Sequence, residues 1–297
     1  MFDVIVVGGG PAGLSAGLML GRCRRRVLIC DTGQPRNRHS HALHGYLTRE
    51  GVPPLGFNAL GREELSPYGV EFRSIGVTDA CSCDGGFRVT LADGTEEASR
   101  FLLLATGVAD ELPPVAGIAA CYGRSVFHCP YCDGWEWRDR RLAVVGTGTA
   151  GAGLALSLKT WSPNVLFCSN GTRIERRSRG RLRRNGIEIR PERIDRLEHE
   201  QGLLSSIVFD GGDPAPCDAL FFTTGQHLQG DLAVRLGCAF NSRGTVTTGL
   251  LSNTNVSRLF VAGDASHDSQ FVVVAAAEGV KAAVAINKEL QKAEVLP

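Results

Sequence analysis

The sequence predicts an α/β protein made of two units of the same type, each a buried parallel sheet with helices packed on it. Two observations lead to this fold class. An apolar strand, a glycine-rich turn and a helix occur in that order at residues 3–22 and again at 141–161. Further runs of β-branched, leucine or phenylalanine residues also end in glycine, which is typical of parallel strands buried on both faces.

The first glycine-rich turn reads Gly8-Gly9-Gly10-Pro11-Ala12-Gly13 and follows the strand at 3–7. G-x-G-x-x-G between a strand and a helix is a dinucleotide-binding motif. Gly8 permits the tight turn, Gly10 lets backbone N–H groups approach a pyrophosphate, and Gly13 lets the helix pack close to the strand. The N-terminus of the helix adds partial positive charge for the phosphates.

Two acids follow strands of the same type. The strand at 27–30 ends in Asp31, which lies 23 residues after Gly8, near the spacing of a carboxylate that accepts a ribose hydroxyl. Near the C-terminus the strand at 258–262 runs into Gly263-Asp264 and is followed by an alanine-rich helix at 270–290. An acid in that position can reach a cofactor that lies across the strand ends, and the alternative is a loop acid without a ligand.

The second glycine-rich turn, Gly146–Gly151, opens a second Rossmann-type unit. Its next strand ends in Ser169-Asn170-Gly171, which offers no acid for a ribose diol and no basic pair for a 2′-phosphate. Seven arginines follow between residues 173 and 184, a pattern typical of a solvated helix face. NADPH binding by this unit is therefore doubtful.

Composition indicates an ordinary globular enzyme. The net charge of +1 gives no attraction to nucleic acid or to an anionic membrane, so neither is predicted as a partner. No apolar stretch of about 18 residues spans a bilayer, and the chain begins without the pattern of a secretory signal. Ten cysteines in such a protein are expected to be reduced thiols, which predicts a cytoplasmic location.

One cysteine pair, in His128-Cys129-Pro130-Tyr131-Cys132-Asp133, has three interpretations: half of a zinc site, a redox disulfide, or an inert reduced pair. Zinc needs a second ligand pair, and the other cysteines offer only a C-x-C, so no metal site is predicted. The redox interpretation is favoured because C-x-x-C at a helix start lowers the pKa of one thiol. Asp133 could move the proton that thiolate chemistry requires, with His128 as an alternative carrier or a structural residue.

Four elements in order resemble the low-molecular-weight thioredoxin reductases over essentially the whole chain: Gly8–Gly13, Ala105-Thr106-Gly107, the C-x-x-C just before the second glycine motif, and FVAGDAS at 260–266. The resemblance implies two Rossmann-like three-layer dinucleotide-binding domains, the second inserted into the first. It further implies an FAD-dependent thiol-disulfide oxidoreductase that exchanges electrons with a thioredoxin-like protein or a small-molecule dithiol or disulfide. Members of this family are usually homodimers.

The resemblance also implies roles for individual residues. Cys132 is expected to face the flavin, Cys129 to attack or release the substrate, and Asp133 to act as acid and base. The residues expected to bind or lie near FAD are Gly8, Gly10, Pro11, Ala12, Gly13, Asp31, Asn37, Thr106, Gly107, Asp264, Gln270 and Phe271.

Two stretches depart from the ordinary NADPH-dependent enzymes. FCSNGTRIE at 167–175 lacks their basic cluster, and PRNRHSHALHGYLTREG at 35–51 is an addition. The latter, with CPYCDGWEWRD, is similar to thioredoxin-reductase-like dithiol oxidases, which form a disulfide with O2 as acceptor and H2O2 as product. Asn37, His41 and His44 fall in the segment that would lie near the flavin. A dithiol oxidase is thus the alternative, and a flavin-binding redox sensor with little turnover is a third hypothesis.

The nested layout predicts where the domains begin and end. Residues 1–113 and 245–297 are expected to form the FAD-binding domain. Residues 114–244 are expected to form an NAD(P)-binding-like domain that carries the C-x-x-C. The chain would cross between them near Pro113-Pro114 and near Gly244.

Overall fold

The computed structural model describes residues 1–266 and 269–294. The chain forms two compact units. The first unit comprises Met1–Arg36, Pro54–Ala109 and the chain from His227 onwards, and the second comprises Asn37–Pro53 and Asp110–Gln226.

Before it enters the long segment of the second unit, the chain forms two helices, seven strands and a short 3-10 helix at Ser66–Tyr68. Their bounds are β1 (Phe2–Val7), α1 (Pro11–Arg22), β2 (Val27–Cys30), α2 (Pro54–Leu65), β3 (Glu71–Arg73), β4 (Val77–Cys83), β5 (Gly86–Leu91), β6 (Glu96–Leu104) and β7 (Val108–Asp110).

The next stretch builds the second unit. Its elements are α3 (Ile118–Cys121), β8 (Val126–Phe127), α4 (Pro130–Asp133), β9 (Leu142–Val145), α5 (Gly148–Leu158), β10 (Val165–Cys168), α6 (Arg176–Arg184), β11 (Glu188–Arg190), β12 (Ile194–Glu200), β13 (Leu203–Phe209), β14 (Gly212–Pro216) and β15 (Ala219–Phe222). The chain returns to the first unit within β16 (Gln226–Leu228) and then forms α7 (Leu232–Arg235), β17 (Leu259–Val261) and α8 (Val272–Glu294).

The first unit is built on a seven-stranded sheet in the order β3-β2-β1-β6-β5-β4, with β17 also paired to β6. Strands β3, β2, β1, β6 and β17 are parallel, whereas β4 and β5 form antiparallel pairs. Strand β6 pairs with β5 through its N-terminal half and with β17 through its C-terminal half. All of β2 and every residue of β1 except Asp3 are buried, as the apolar runs of the two strands predict.

Alternate residues of these strands enter two separate apolar clusters, one on each face of the sheet. On one face, Val4 and Val6 pack with residues of α1 and α8. On the other, Ile5 and Val7 pack with residues of the β4–β5 hairpin and of α7. The period of two along each strand thus produces three layers.

Helix α8 approaches α1 closely. A Cβ atom placed on Gly279 would lie 2.0 Å from the backbone oxygen of Ala12, so no side chain fits there. The alanines of the predicted helix, including Ala275, Ala282 and Ala283, are buried in the same cluster as α1. Small residues therefore set the distance between the two helices.

The second unit repeats this plan. Its five-stranded sheet, in the order β11-β10-β9-β15-β8, is parallel throughout, and β12-β13-β14 form a separate antiparallel sheet. One face of the parallel sheet shares a cluster with the antiparallel strands, and the other face shares a cluster with α5 and α6. The predicted α/β fold class with two Rossmann-like three-layer domains is confirmed.

The structure divides the chain differently from the predicted boundaries. The second crossing lies at Gln226/His227 rather than near Gly244, because Leu232, Ala233 and Cys238 join the apolar cluster of the first unit. The segment 37–53, predicted in the FAD-binding domain, belongs by its contacts to the second unit. Within the described residues, no helix combines the length and the apolar character that crossing a membrane requires.

Candidate active site

The first glycine motif forms a cradle between β1 and α1. Gly8 has a φ of +107°, and a Cβ there would lie 2.3 Å from the backbone oxygen of Ala105. A Cβ on Gly13 would lie 1.9 Å from the oxygen of Gly8. Gly10, in contrast, has no neighbouring atom within 4 Å and precedes a helix of twelve residues without a side-chain cap. The turn is therefore closed on the protein side and open where a pyrophosphate would approach.

Asp31 lies directly beside this cradle. Its Oδ1 accepts a hydrogen bond from the Gly9 N–H at 3.0 Å, and its Oδ2 accepts one from the Gly33 N–H at 3.1 Å. These bonds fix the carboxylate at the end of β2, and each oxygen has a lone pair left for a ribose hydroxyl.

A second polar group of the first unit contains Asp264 and Gln270. The Arg36 guanidinium donates through Nη1 to Gln270 Oε1 at 2.6 Å and to Asp264 Oδ2 at 3.2 Å. Gln270 Nε2 is buried and has no hydrogen-bond partner among the described residues. A buried unpaired donor is what a bound cofactor with carbonyl acceptors would satisfy, so the residues present fit FAD.

Two residues of this group were missed by the sequence prediction. Arg36 had one signal, a basic residue within the unusual stretch at 35–51. Glu278 had none, because it is an acid inside an alanine-rich helix. It is buried, and its Oε2 accepts the Gly263 N–H at 2.8 Å, which holds the turn that carries Asp264.

The other predicted cofactor residues are distributed as follows. Thr106 and Gly107 lie on the turn after β6, against which Gly8 packs, and Gly107 has a φ of +70°. Phe271 precedes α8 and is 36% exposed. Asn37 belongs to the second unit, unlike the rest of the predicted set, and its backbone oxygen accepts the Ser40 N–H at 3.0 Å. Their binding of FAD stays a prediction.

The cysteine pair of the second unit forms a disulfide bond between Cys129 and Cys132, whose Cα atoms are 5.3 Å apart. Helix α4 begins at Pro130, immediately after Cys129. Gly134 closes this turn against the rest of the unit, because a Cβ there would lie 2.4 Å from the Pro130 oxygen and 2.8 Å from the Trp161 ring. Neither sulfur is a thiolate in this state, so neither is available to zinc. Among residues 1–266 and 269–294, no group of three or more His, Cys, Asp or Glu side chains could hold a metal ion.

Asp133, the last residue of α4, has a strongly perturbed carboxyl. Its pKa is raised to about 7, chiefly by desolvation and in part by the negative charge of Glu136, whereas the charge of His44 acts to lower it. A carboxyl with such a pKa is partly protonated near neutral pH, which is the property of a general acid–base.

His44 reaches this region from the segment 37–53. Its Nδ1 lies 2.6 Å from Glu50 Oε1, and its Nε2 lies 3.6 Å from Glu136 Oε1. The hydrogen bond from His44 and a second one from the Gly45 backbone lower the pKa of Glu50. Neither glutamate was singled out by the sequence prediction.

His128 lies in a different environment. Its Nδ1 is 3.6 Å from Oδ2 of Asp110, a buried carboxylate that also accepts a hydrogen bond from the Tyr122 hydroxyl. The imidazole ring packs 6.4 Å from the ring of Phe222. These contacts favour the structural interpretation of His128 over that of a proton carrier.

The aromatic residues around the disulfide fall into two classes. Tyr131 and Trp135 are 70% and 64% exposed, and the Arg138 guanidinium lies 4.2 Å above the Trp135 ring. Trp137, in contrast, packs against Phe127 in the core at 6.2 Å between ring centroids.

The second glycine motif forms a turn of the same kind. A Cβ on Gly146 would lie 2.5 Å from the Thr223 hydroxyl, whereas Gly148 has open space around it. The hydroxyls of Ser169 and Thr223 are buried without a hydrogen-bond partner in the described chain. The Asn170 side chain accepts the Ile194 N–H at 2.8 Å. The seven arginines between 173 and 184 are all exposed.

Comparison with known proteins places this geometry in a family. The family model described as pyridine nucleotide-disulphide oxidoreductase matches residues 2–279. The chain belongs to the pyridine nucleotide-disulphide oxidoreductase family.

Individual relatives agree. The chain is 30% identical over 308 residues to the thioredoxin reductase sirT of Leptosphaeria maculans, covering 97% of this chain and 94% of that protein. It superimposes on the crystal structure of TrxB from Bacillus anthracis with a TM-score of 0.95 and 30% identity, covering 99% of this chain and 100% of that one. The "Probable thioredoxin reductase" of Arthroderma benhamiae is 37% identical over 178 residues, which cover 58% of this chain. That alignment spans only 44% of the length of the relative.

These comparisons confirm the predicted resemblance and the predicted class, a thioredoxin-reductase-like flavoprotein disulfide oxidoreductase, for which the family implies FAD. They offer no support for the alternative of a dithiol oxidase.

Proposed function

We propose that this protein is an FAD-dependent disulfide reductase that uses Cys129 and Cys132 as its redox centre and Asp133 as its acid–base. The observation that carries the proposal is the carboxyl of Asp133, which lies next to Cys132 on the short helix that follows Cys129 and whose pKa is raised to about 7, chiefly by desolvation. A proton donor in this position is what protonation of a leaving thiolate requires.

The reaction begins from the reduced pair. The Cys129 thiolate attacks one sulfur of the substrate disulfide, so a mixed disulfide forms, the substrate S–S bond breaks, and the first leaving thiolate takes a proton from Asp133. Cys132 then gives its proton to Asp133 and attacks the sulfur of Cys129. The second substrate thiolate leaves and takes this proton from Asp133. The products are the Cys129–Cys132 disulfide and two substrate thiols, a transfer of two electrons.

FAD, when bound, supplies the two electrons that return the disulfide to the dithiol. Residues of this chain then bind and orient the cofactor. Gly8, Gly10 and Gly13, with the start of α1, would hold the pyrophosphate. Asp31 would accept the ribose hydroxyls, and Asp264 and Gln270, oriented by Arg36, would bind the remainder of the cofactor.

The other cysteines support this assignment because most of them are unsuited to redox chemistry. Burial raises the pKa of Cys30 to about 11 and that of Cys168 to about 12. It also raises the pKa of Cys121, Cys217 and Cys238. Thiols with such pKa values rarely form the reactive thiolate.

The substrate would be a thioredoxin-like protein or a small-molecule disulfide. Tyr131 and Trp135 support this part of the proposal, because large aromatic side chains exposed beside a reactive disulfide are suited to contact with a partner. We further propose a cytoplasmic homodimer. Eight of the ten cysteines are free thiols, which suits a reducing compartment.

The test is single-turnover thiol production from a disulfide substrate, either oxidised thioredoxin or a small-molecule disulfide, by the FAD-loaded protein after anaerobic reduction with stoichiometric dithionite. Cys129→Ser and Cys132→Ser are each expected to reduce it to background while FAD absorbance is retained. Cys23→Ser, in a thiol outside the motif, is the matched control and should retain activity. Full activity of either motif variant would remove this pair from the mechanism. Peroxide formation from a dithiol in air, without net disulfide reduction, would instead show a dithiol oxidase.

A further inference from the structure

We propose that His44, held between Glu50 and Glu136, is a positioning residue that controls proton transfer by Asp133 beside Cys129 and Cys132. This inference rests on the proposed function. The inference adds to that function a residue of the unusual segment 37–53, His44, and the contact with Glu136 through which His44 acts.

The His44 ring lies between two carboxylates. Nδ1 lies 2.6 Å from one carboxylate oxygen of Glu50, which is a hydrogen-bond distance. Nε2 lies 3.6 Å from a carboxylate oxygen of Glu136, which is an ion-pair distance. Both ring nitrogens of His44 thus face carboxylate oxygens. The His44 side chain is 22% exposed, so solvent screens these contacts only in part.

The segment itself holds His44 in place. The Leu43 N–H donates to the Val52 oxygen at 2.8 Å, and the Gly51 N–H donates to the Leu43 oxygen at 2.9 Å. Leu43 is buried, and the Gly45 N–H donates to the other oxygen of Glu50 at 2.8 Å. These two backbone hydrogen bonds, the buried Leu43 side chain and the fixed Glu50 carboxylate together orient the imidazole ring of His44.

Glu136 connects His44 to the acid–base. It follows Asp133 by three residues, in the turn that comes directly after α4. The charged groups that act on Asp133 are Glu136, which disfavours its carboxylate form, and His44, which favours it. By pairing with Glu136, His44 weakens the repulsion that would otherwise keep Asp133 protonated to higher pH.

The two partners therefore have opposite effects, which gives the inference its test. The pre-reduced, FAD-loaded protein is mixed with a small-molecule disulfide in a single turnover, and thiol release is measured as a function of pH. The rate should fall as the pH rises through the pKa of Asp133, since only the protonated carboxyl serves the leaving thiolate. His44→Gln should move this basic limb upward, and Glu136→Gln should move it downward, each by roughly half a pH unit to one unit for a partly screened charge.

Two further variants separate charge from shape. His44→Lys keeps a positive charge on the segment and should retain most of the wild-type profile. His41→Gln makes the matched change at an exposed histidine of the same segment and should leave the profile unchanged. A general loss of structure would lower the rate at every pH and would not move the limb in opposite directions in two variants.

The outcomes for the two proposals are distinguishable. If the thiol-release rate falls at the same pH in wild type, His44→Gln and Glu136→Gln, while Cys129→Ser is inactive, the role of His44 is overturned. Activity in Cys129→Ser would overturn the proposed function itself. A shift in the same direction in both variants would also contradict the inference, since it would show that structure rather than charge is responsible.

Discussion

Replacing Asp133 by asparagine should stabilise the second unit, and by an amount that grows with pH. The carboxyl has a pKa of about 7 in the folded chain against 3.8 for an unperturbed aspartate. Between these values the folded state binds more protons than the unfolded state, so wild-type stability falls as the pH rises. Asparagine has no titrating proton and removes this dependence.

The magnitude follows from the two pKa values. A difference of about three units corresponds to roughly 4 kcal/mol once the pH is above both, at about 1.4 kcal/mol per unit. About two fifths of this penalty has already developed at pH 5, because the unfolded carboxyl is largely ionised there. The stability of Asp133→Asn relative to wild type should therefore rise by about 2.5 kcal/mol between pH 5 and pH 8.

The assay is urea unfolding of the oxidised, FAD-saturated protein at both pH values, followed by tryptophan fluorescence. All three tryptophans, Trp135, Trp137 and Trp161, lie in the second unit, so their signal reports on the unit that contains Asp133. Asp139→Asn changes an exposed aspartate a few residues away and serves as the control. The same free-energy difference between Asp133→Asn and wild type at pH 5 and pH 8 would refute the reasoning, since it would mean that the Asp133 carboxyl titrates normally.

Three further predictions concern substrate contact, helix packing and the electron donor. Trp135→Ala should raise the KM for the disulfide substrate several-fold with kcat and thermal stability nearly unchanged, because the side chain is 64% exposed; a lower thermal midpoint with unchanged KM would contradict a docking role. Gly279→Ala should lower the free energy of unfolding by about 1–3 kcal/mol, since its Cβ would lie 2.0 Å from the Ala12 oxygen, whereas Gly153→Ala, in open space on α5, should be neutral or slightly stabilising; equal effects of the two changes would contradict this packing. In anaerobic titrations followed by flavin absorbance, neither NADPH nor NADH should reduce the protein rapidly, because Ser169-Asn170-Gly171 offers neither an acid for a ribose diol nor a basic pair for a 2′-phosphate. Rapid reduction by NADPH would contradict this and would show that one of the arginines near α6 reaches the 2′-phosphate.

Much of the fold could be predicted because the chain carries its signals locally. The apolar run at 27–30 and the glycines of 8–13 each specify a strand or a turn by their own chemistry, and both lie where predicted. The domain boundary could not be predicted in this way. Residues 227–244 contain no long periodic run, and their membership of the first unit depends on Leu232 and Cys238 joining a cluster whose other residues are far away in sequence.

The same limit applies to the site. Cys129, Cys132 and Asp133 are adjacent in sequence, so their spacing indicated chemistry directly. His44 and Glu136 are about ninety residues apart, and their contact arises only after folding. Asn37 was grouped with the cofactor residues by its segment's similarity to other enzymes, although its contacts place it in the second unit. Local chemistry is readable from the sequence, whereas contacts between distant side chains require the packed structure.

The pairing of β6 with β17 has a consequence for synthesis on the ribosome. Leu102 is hydrogen-bonded in register with Leu259, which emerges about 150 residues later. The long segment of the second unit is continuous from Asp110 to Gln226 and can therefore fold while the first unit still lacks its last strand. Until then the C-terminal half of β6 is an open sheet edge, the kind of surface at which nascent chains pair wrongly. The enzyme would thus be most prone to aggregation during its own translation, after β6 has been synthesised and before β17 has.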